Sequence, residues 1–262
     1  MTAPSERHVS VNGHRCRVWE AGAPGGGPPL AFLAGLGGAP TWSPFLDRLA
    51  ARRRVLVPSL PGFPGGLGHE ALDDTTDWIA ATLDLLEAAG FLDGDLVGAS
   101  VGGMLAAEVA AFCRPMARRL VLVAPFGLFE AGDPVADVFA QTADRLPGLL
   151  CADPARLAAE WAMPAGSDAL EWQVERARAA EAAARLLWPF GERGLAKRLH
   201  RVTVPTLLLW GAEDRVVPPS YAKRFAGRIT GPTTLREIPG AGHLAAVDAP
   251  EKAADAILDF LA

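Results

Sequence analysis

Apolar positions along the chain follow two rhythms. Short continuous runs, "LAFLAG" (30–35), "RVLVPSLPG" (54–62), "DLVGA" (95–99), "RLVLVAP" (119–125) and "VPTLLLWG" (204–211), predict strands buried on both faces. Between them, apolar residues recur every three to four positions, which predicts helices. The clearest is Asp73–Gly90, with Trp78, Ile79, Leu83, Leu85 and Leu86 on its apolar side, an acidic start and a glycine stop. Others are predicted over 41–52, 101–113 and 219–229, and a last one over 248–262 with Asp248 as N-cap and Glu251 three residues on. Near the start, "HVSVNGHRCRVWEAG" alternates around Asn12-Gly13, a hairpin signal, and the loop "AGAPGGGPP" (21–29) follows. A short strand and a loop are predicted in "TTLREIPGAGH" (233–243). Strands that alternate with helices pair in parallel through right-handed crossovers.

The rhythm breaks over 126–202. That stretch is helical in composition ("ARLAAEWAM", "ALEWQVERARAAEAAARLLW"), carries no convincing strand, and is divided at Pro134, Pro147-Gly148, Pro164 and Pro189. It predicts a helical insertion between two strands. The expected organisation is one α/β core, 1–125 with 203–262, plus the insertion at 126–202.

Bulk properties narrow the function classes. Of 262 residues, 50% are hydrophobic, enough for a sizeable core, and the net charge of −5 is mild. The Arg52-Arg53-Arg54 run reads as a solvated cluster at a helix end. Nucleic acid and anionic membranes are therefore not expected partners. No apolar run is long enough to span a membrane, and no secretory signal is visible at the start. The three cysteines, Cys16, Cys113 and Cys151, are too dispersed for a zinc site or a disulfide framework. A cytoplasmic protein is the expectation.

The chemistry lies at the end of "DLVGA". Gly98-Ala99-Ser100-Val101-Gly102 places a serine in a turn from strand to helix, with small residues two positions before and after it. Larger side chains there would strike the neighbouring strand and helix, and the bend exposes the hydroxyl at the sheet end. A serine hydroxyl needs a base. Of five histidines, His243 lies in a glycine-flanked loop just after a strand, where open α/β sheets place their sites. Between the two, "WGAEDRVVPP" offers Asp214, with Glu213 as alternative, to orient the histidine.

With "GASVG", "WGAEDRVVP", "GAGH" and "LPGFPGG" in this order, the whole chain resembles the α/β-hydrolase family. The resemblance implies a mostly parallel eight-stranded sheet with helices on both faces and a helical lid inserted between strands 6 and 7. It further implies a Ser100–Asp214–His243 triad, no metal and no cofactor. Oxyanion-hole donors would be the N–H groups of Val101 and Leu36, with Gly37 as alternate to Leu36. Relatives often begin the latter loop with His-Gly; Ala34-Gly35 stands here, so a bracing side chain is missing.

A serine rather than an aspartate at the elbow points to acyl transfer rather than dehalogenation or epoxide opening. The expected partner is a small to medium, largely apolar acyl substrate, and the expected protein is a monomer or homodimer. Trp42, Met104, Phe126, Trp161, Trp188 and Val216 are candidate pocket residues, each equally readable as core or lid packing. Leu36, Phe63 and Leu128 belong to the same group. Lid arginines, Arg176 among them, could meet a substrate carboxylate, but read first as solvated helix faces. Ester hydrolysis is the first expectation. Hydrolysis of a C–C bond beside a carbonyl, or acyl transfer, is the alternative; C–C hydrolases usually carry asparagine where Ala99 stands. A ligand-binding receptor on the same fold comes third.

Overall fold

The structure is a computed structural model describing residues 4–22 and 27–262. The first three residues and the middle of the predicted 21–29 loop lie outside the described residues. The strands are β1 (Ser5–Val11), β2 (His14–Ala21), β3 (Leu30–Leu33), β4 (Val55–Pro58), β5 (Gly94–Ala99), β6 (Ala117–Val123), β7 (Thr206–Gly211) and β8 (Thr233–Ile238). They form one sheet in the order β1-β2-β4-β3-β5-β6-β7-β8. β1, β2 and β4 pair antiparallel, and every other neighbouring pair is parallel. The hairpin turns at Asn12 and Gly13, both with positive φ, and pairs Val11 with His14.

The continuous apolar runs have a two-sided explanation. Leu120 and Leu122 of β6, with Leu208 and Trp210 of β7, point into one core layer. Val121, Val123, Leu207 and Leu209 point into the other. α2 (Thr75–Ala88) and α3 (Ser100–Phe112) contribute to the first layer, while α1 (Pro44–Ala50) and α10 (Pro250–Phe260) contribute to the second. The two edge strands, β1 and β8, are largely exposed and polar, which discourages edge-to-edge pairing.

α2 starts at a capping box between Asp74 and Asp77 and is followed by Gly90 at φ +73°. Between β6 and β7 the described residues hold α4 (Leu146–Leu150), α5 (Pro154–Glu160), α6 (Ala169–Leu187) and α7 (Leu195–Arg198), and no strand. Pro147 is not a divider here. It sits in the first turn of α4, where its missing N–H costs nothing. α8 (Ser220–Ala226) follows β7, and α9 (Ala245–Asp248) precedes α10.

Two further expectations are corrected. Arg53 is not solvated: it is 5% exposed and pairs with buried Asp95 of β5. Asp248 does not cap the last helix, whose N-cap is Ala249 with no side-chain bond. No helix of the described residues is long and apolar enough to cross a membrane.

Candidate active site

The elbow forms because its glycines admit what no side chain would. Ser100 opens α3 with φ +53°, a left-handed conformation that costs a non-glycine residue about 1–3 kcal/mol. A methyl group on Gly98 would lie 2.3 Å from the Gly102 carbonyl oxygen, and one on Gly102 would lie 2.3 Å from that of Leu33. Strand, turn and helix therefore pack closer than alanine allows. The Phe126 N–H donates to the Ser100 carbonyl at 3.2 Å and ties the elbow to the end of β6.

The structure brings Ser100, His243 and Asp214 together. Ser100 Oγ lies 2.8 Å from His243 Nε2, and His243 Nδ1 lies 3.0 Å from Asp214 Oδ2. A carboxylate only accepts, so Nδ1 carries the proton and Nε2 is left to accept from the hydroxyl. The other Asp214 oxygen accepts the N–H groups of Val216 and Val217 at 2.8 and 3.0 Å, which fixes the carboxylate. Ser100 and His243 are each 1% exposed, and Asp214 is 6% exposed. The alternative acid, Glu213, points to solvent.

The loop after β3 comes close to the nucleophile because residue 35 is glycine: a methyl group there would lie 2.8 Å from Ser100 Cβ. Gly37 and Gly38 continue it with φ +82° and +69°, and the Gly38 N–H donates to the Gly35 carbonyl at 2.9 Å. Val101 is the second residue of α3, so its N–H is one of the four at a helix start without an intrahelical acceptor.

The insertion is hydrogen-bonded to the segment around His243. The Leu244 N–H donates to the Leu150 carbonyl at 2.9 Å. Asp248 binds both sides of the seam: its carboxylate accepts from Gly242 at 2.7 Å, from Ala152 at 2.8 Å and from Asp153 at 3.1 Å. The sequence pattern marked Asp248 only as a helix cap. Its position five residues beyond His243 was the available hint.

Two recesses meet at Leu36 and Trp161. The first, about 60 Å³, is lined by Gly35, Ala99, His243 and Glu160. Burial pushes the Glu160 carboxyl above its ordinary pKa. The second, about 360 Å³, is mainly apolar, with Val138, Phe139, Leu146 and Leu150; Arg176 is its one charged lining residue. The Arg176 guanidinium lies 4.4 Å from the Trp161 ring centre, and desolvation lowers its pKa. Arg176 is thus a half-buried wall of a cavity, not a solvated face.

The other candidate pocket residues separate. Phe126 packs its ring edge-on to His243 at 5.3 Å. Met104 and Val216 are fully buried core. Trp42 lies on the α1 side, edge-on to Trp19 and bonded to Asp47 at 2.9 Å. Trp188 is 57% exposed and lines neither recess, because the backbone turns extended there as α6 ends.

The chain is similar to known proteins along nearly its whole length. A family model described as "Alpha/beta hydrolase family" matches residues 23–256. The dihydrolipoyllysine-residue acetyltransferase component of the acetoin cleaving system of Pseudomonas putida is 30% identical, over 98% of this chain and 70% of that protein. The 2-hydroxy-6-oxo-6-(2'-aminophenyl)hexa-2,4-dienoic acid hydrolase of Metapseudomonas resinovorans is 28% identical, over 98% and 90%. Among solved structures, a serine hydrolase involved in carbazole degradation superposes with TM-score 0.78 at 26% identity, covering 99% of each chain.

Proposed function

Because the chain belongs to the alpha/beta hydrolase family, we propose that it is a serine hydrolase cleaving a carboxylic ester or related acyl bond through an acyl-enzyme on Ser100. The observation that carries this is the buried relay from Ser100 Oγ to His243 Nε2 and from His243 Nδ1 to Asp214. Ser100 Oγ attacks the carbonyl carbon as His243 takes its proton. Asp214 holds the tautomer and stabilises the imidazolium. The N–H groups of Leu36 and Val101 receive the developing oxyanion. His243 returns the proton to the leaving group, and a water activated by the same histidine releases the acyl group. The insertion acts as the lid, and the apolar recess of about 360 Å³ takes the body of a small substrate.

A second reading, hydrolysis of a C–C bond beside a carbonyl, is favoured by one observation. Arg176 is the one charged residue lining this mainly apolar recess and would pair with a substrate carboxylate there, and a relative named for a dienoic acid substrate spans nearly the whole chain.

The test is a panel of p-nitrophenyl esters, thioesters, lactones and a 2-hydroxy-6-oxo-dienoate, run with Arg176→Gln in parallel. Ester hydrolysis predicts the highest kcat/KM on a neutral ester, changed less than about threefold by Arg176→Gln. A dienoate preferred by more than about tenfold, with that preference lost in Arg176→Gln, contradicts it and establishes the second reading.

A further inference from the structure

The loop that would hold the oxyanion is soft by composition. Two successive glycines, Gly37 and Gly38, take left-handed φ, and Ala34 offers no polar side chain to brace them. What touches the loop is therefore informative. On the Gly38 side it is the core: a methyl group there would lie 2.6 Å from Pro64 Cδ. On the Gly37 side it is the insertion. A methyl group on Gly37 would lie 2.6, 2.8 and 3.1 Å from Cζ2, Cε2 and Nε1 of Trp161. The indole ring system thus presses on the backbone beside Leu36, the expected donor. Arg176 lies over the Trp161 ring, with its guanidinium carbon 4.4 Å from the ring centre, and restrains it from α6. Trp161 itself follows the end of α5, and its N–H donates to the Leu157 carbonyl at 2.9 Å.

We propose that Trp161 is a positioning residue for the oxyanion hole: the core holds the donor loop at Gly38, and the insertion holds it at Gly37 through this indole. The proposal rests on the serine-hydrolase reading above. Its consequence is that lid packing and transition-state stabilisation are one property of this chain. A side chain that merely walls a cavity would affect ground-state and transition-state binding alike. A brace on the donor loop acts mainly when the oxyanion exists.

The test uses a short-chain alkyl trifluoromethyl ketone and the carbinol of the same skeleton. Ser100 Oγ adds to the ketone carbon, its proton passes to His243 Nε2, and the carbonyl oxygen becomes an oxyanion in the hole. The carbinol fills the same space without one. Trp161→Ala is expected to lower the preference for ketone over carbinol by roughly tenfold to a hundredfold, with a parallel fall in kcat. Loss of a whole donor typically costs about a hundredfold to a thousandfold. Trp161→Phe keeps an aromatic wall but lacks the fused ring facing Gly37, so it shifts the preference in the same direction by less. Leu146→Ala trims another wall of the recess and is expected to weaken both ligands equally. A preference unchanged within about threefold in both Trp161 variants overturns the proposal. A wild-type protein that does not prefer the ketone rejects the serine-hydrolase reading itself.

Discussion

Asp248 accepts three backbone N–H groups, from Gly242, Ala152 and Asp153, so one nearly buried carboxylate fixes the residue before His243 and the start of α5 together. Its role was hidden because an aspartate three residues before a glutamate at a helix start also reads as a cap. The meeting of Ser100, His243 and Asp214 was legible from glycines flanking the elbow and from loops just past strand ends. Trp188 and Trp42 were not, since a tryptophan in sequence does not tell which way its helix or loop turns it. Glu160 gives a prediction at this scale. Burial raises its carboxyl pKa above the ordinary 4.5, so the folded state binds its proton more tightly than the unfolded state. That contribution to stability is fully present below the unfolded value and is lost as pH rises through the raised one. Glu160→Gln is therefore expected to unfold at a higher Tm than wild type above that range, with the difference shrinking toward pH 4. A difference that does not vary with pH contradicts this assignment.

Among the elements, periodicity revealed most of the strands and helices because each face has a fixed destination. β6 and β7 read as continuous apolar runs since their two sides enter different core layers. Their order in the sheet was not legible, because pairing is a long-range property. How the insertion is fastened was not legible at all. Glu108 of α3, 0% exposed, accepts from Arg198 of α7 at 2.7 and 2.5 Å. Glu108 sits 90 residues before Arg198 in a helix that otherwise reads as apolar. Removing Arg198 leaves the buried Glu108 carboxylate uncompensated. Arg198→Ala is thus expected to cost about 3–5 kcal/mol in urea unfolding. The double variant Glu108→Gln with Arg198→Met should recover most of that loss. A cost below about 1 kcal/mol for Arg198→Ala would mean that the pair is solvated and does not fasten the insertion.

At the scale of the whole molecule, the sheet brings together groups that lie far apart in the chain. Ser100 follows β5, Asp214 follows β7 and His243 follows β8. Parallel strands deliver all three to the carboxyl end of the sheet. The insertion touches that end, with the Leu150 carbonyl bonded to Leu244, Ala152 and Asp153 bonded to Asp248, and Trp161 against the loop after β3. The order of the motifs made this architecture readable, whereas the substrate depends on a cavity shaped by side chains from both parts.

The central claim is that Ser100 is a nucleophile activated by His243. The most direct measurement is labelling of the folded protein with a small fluorophosphonate, followed by intact-mass and peptide analysis, with Ser100→Ala and His243→Ala alongside. The account predicts a single adduct on Ser100, absent in Ser100→Ala and slowed by at least about a hundredfold in His243→Ala. An unlabelled wild-type protein, or labelling at Ser100 that proceeds equally fast without His243, would contradict it.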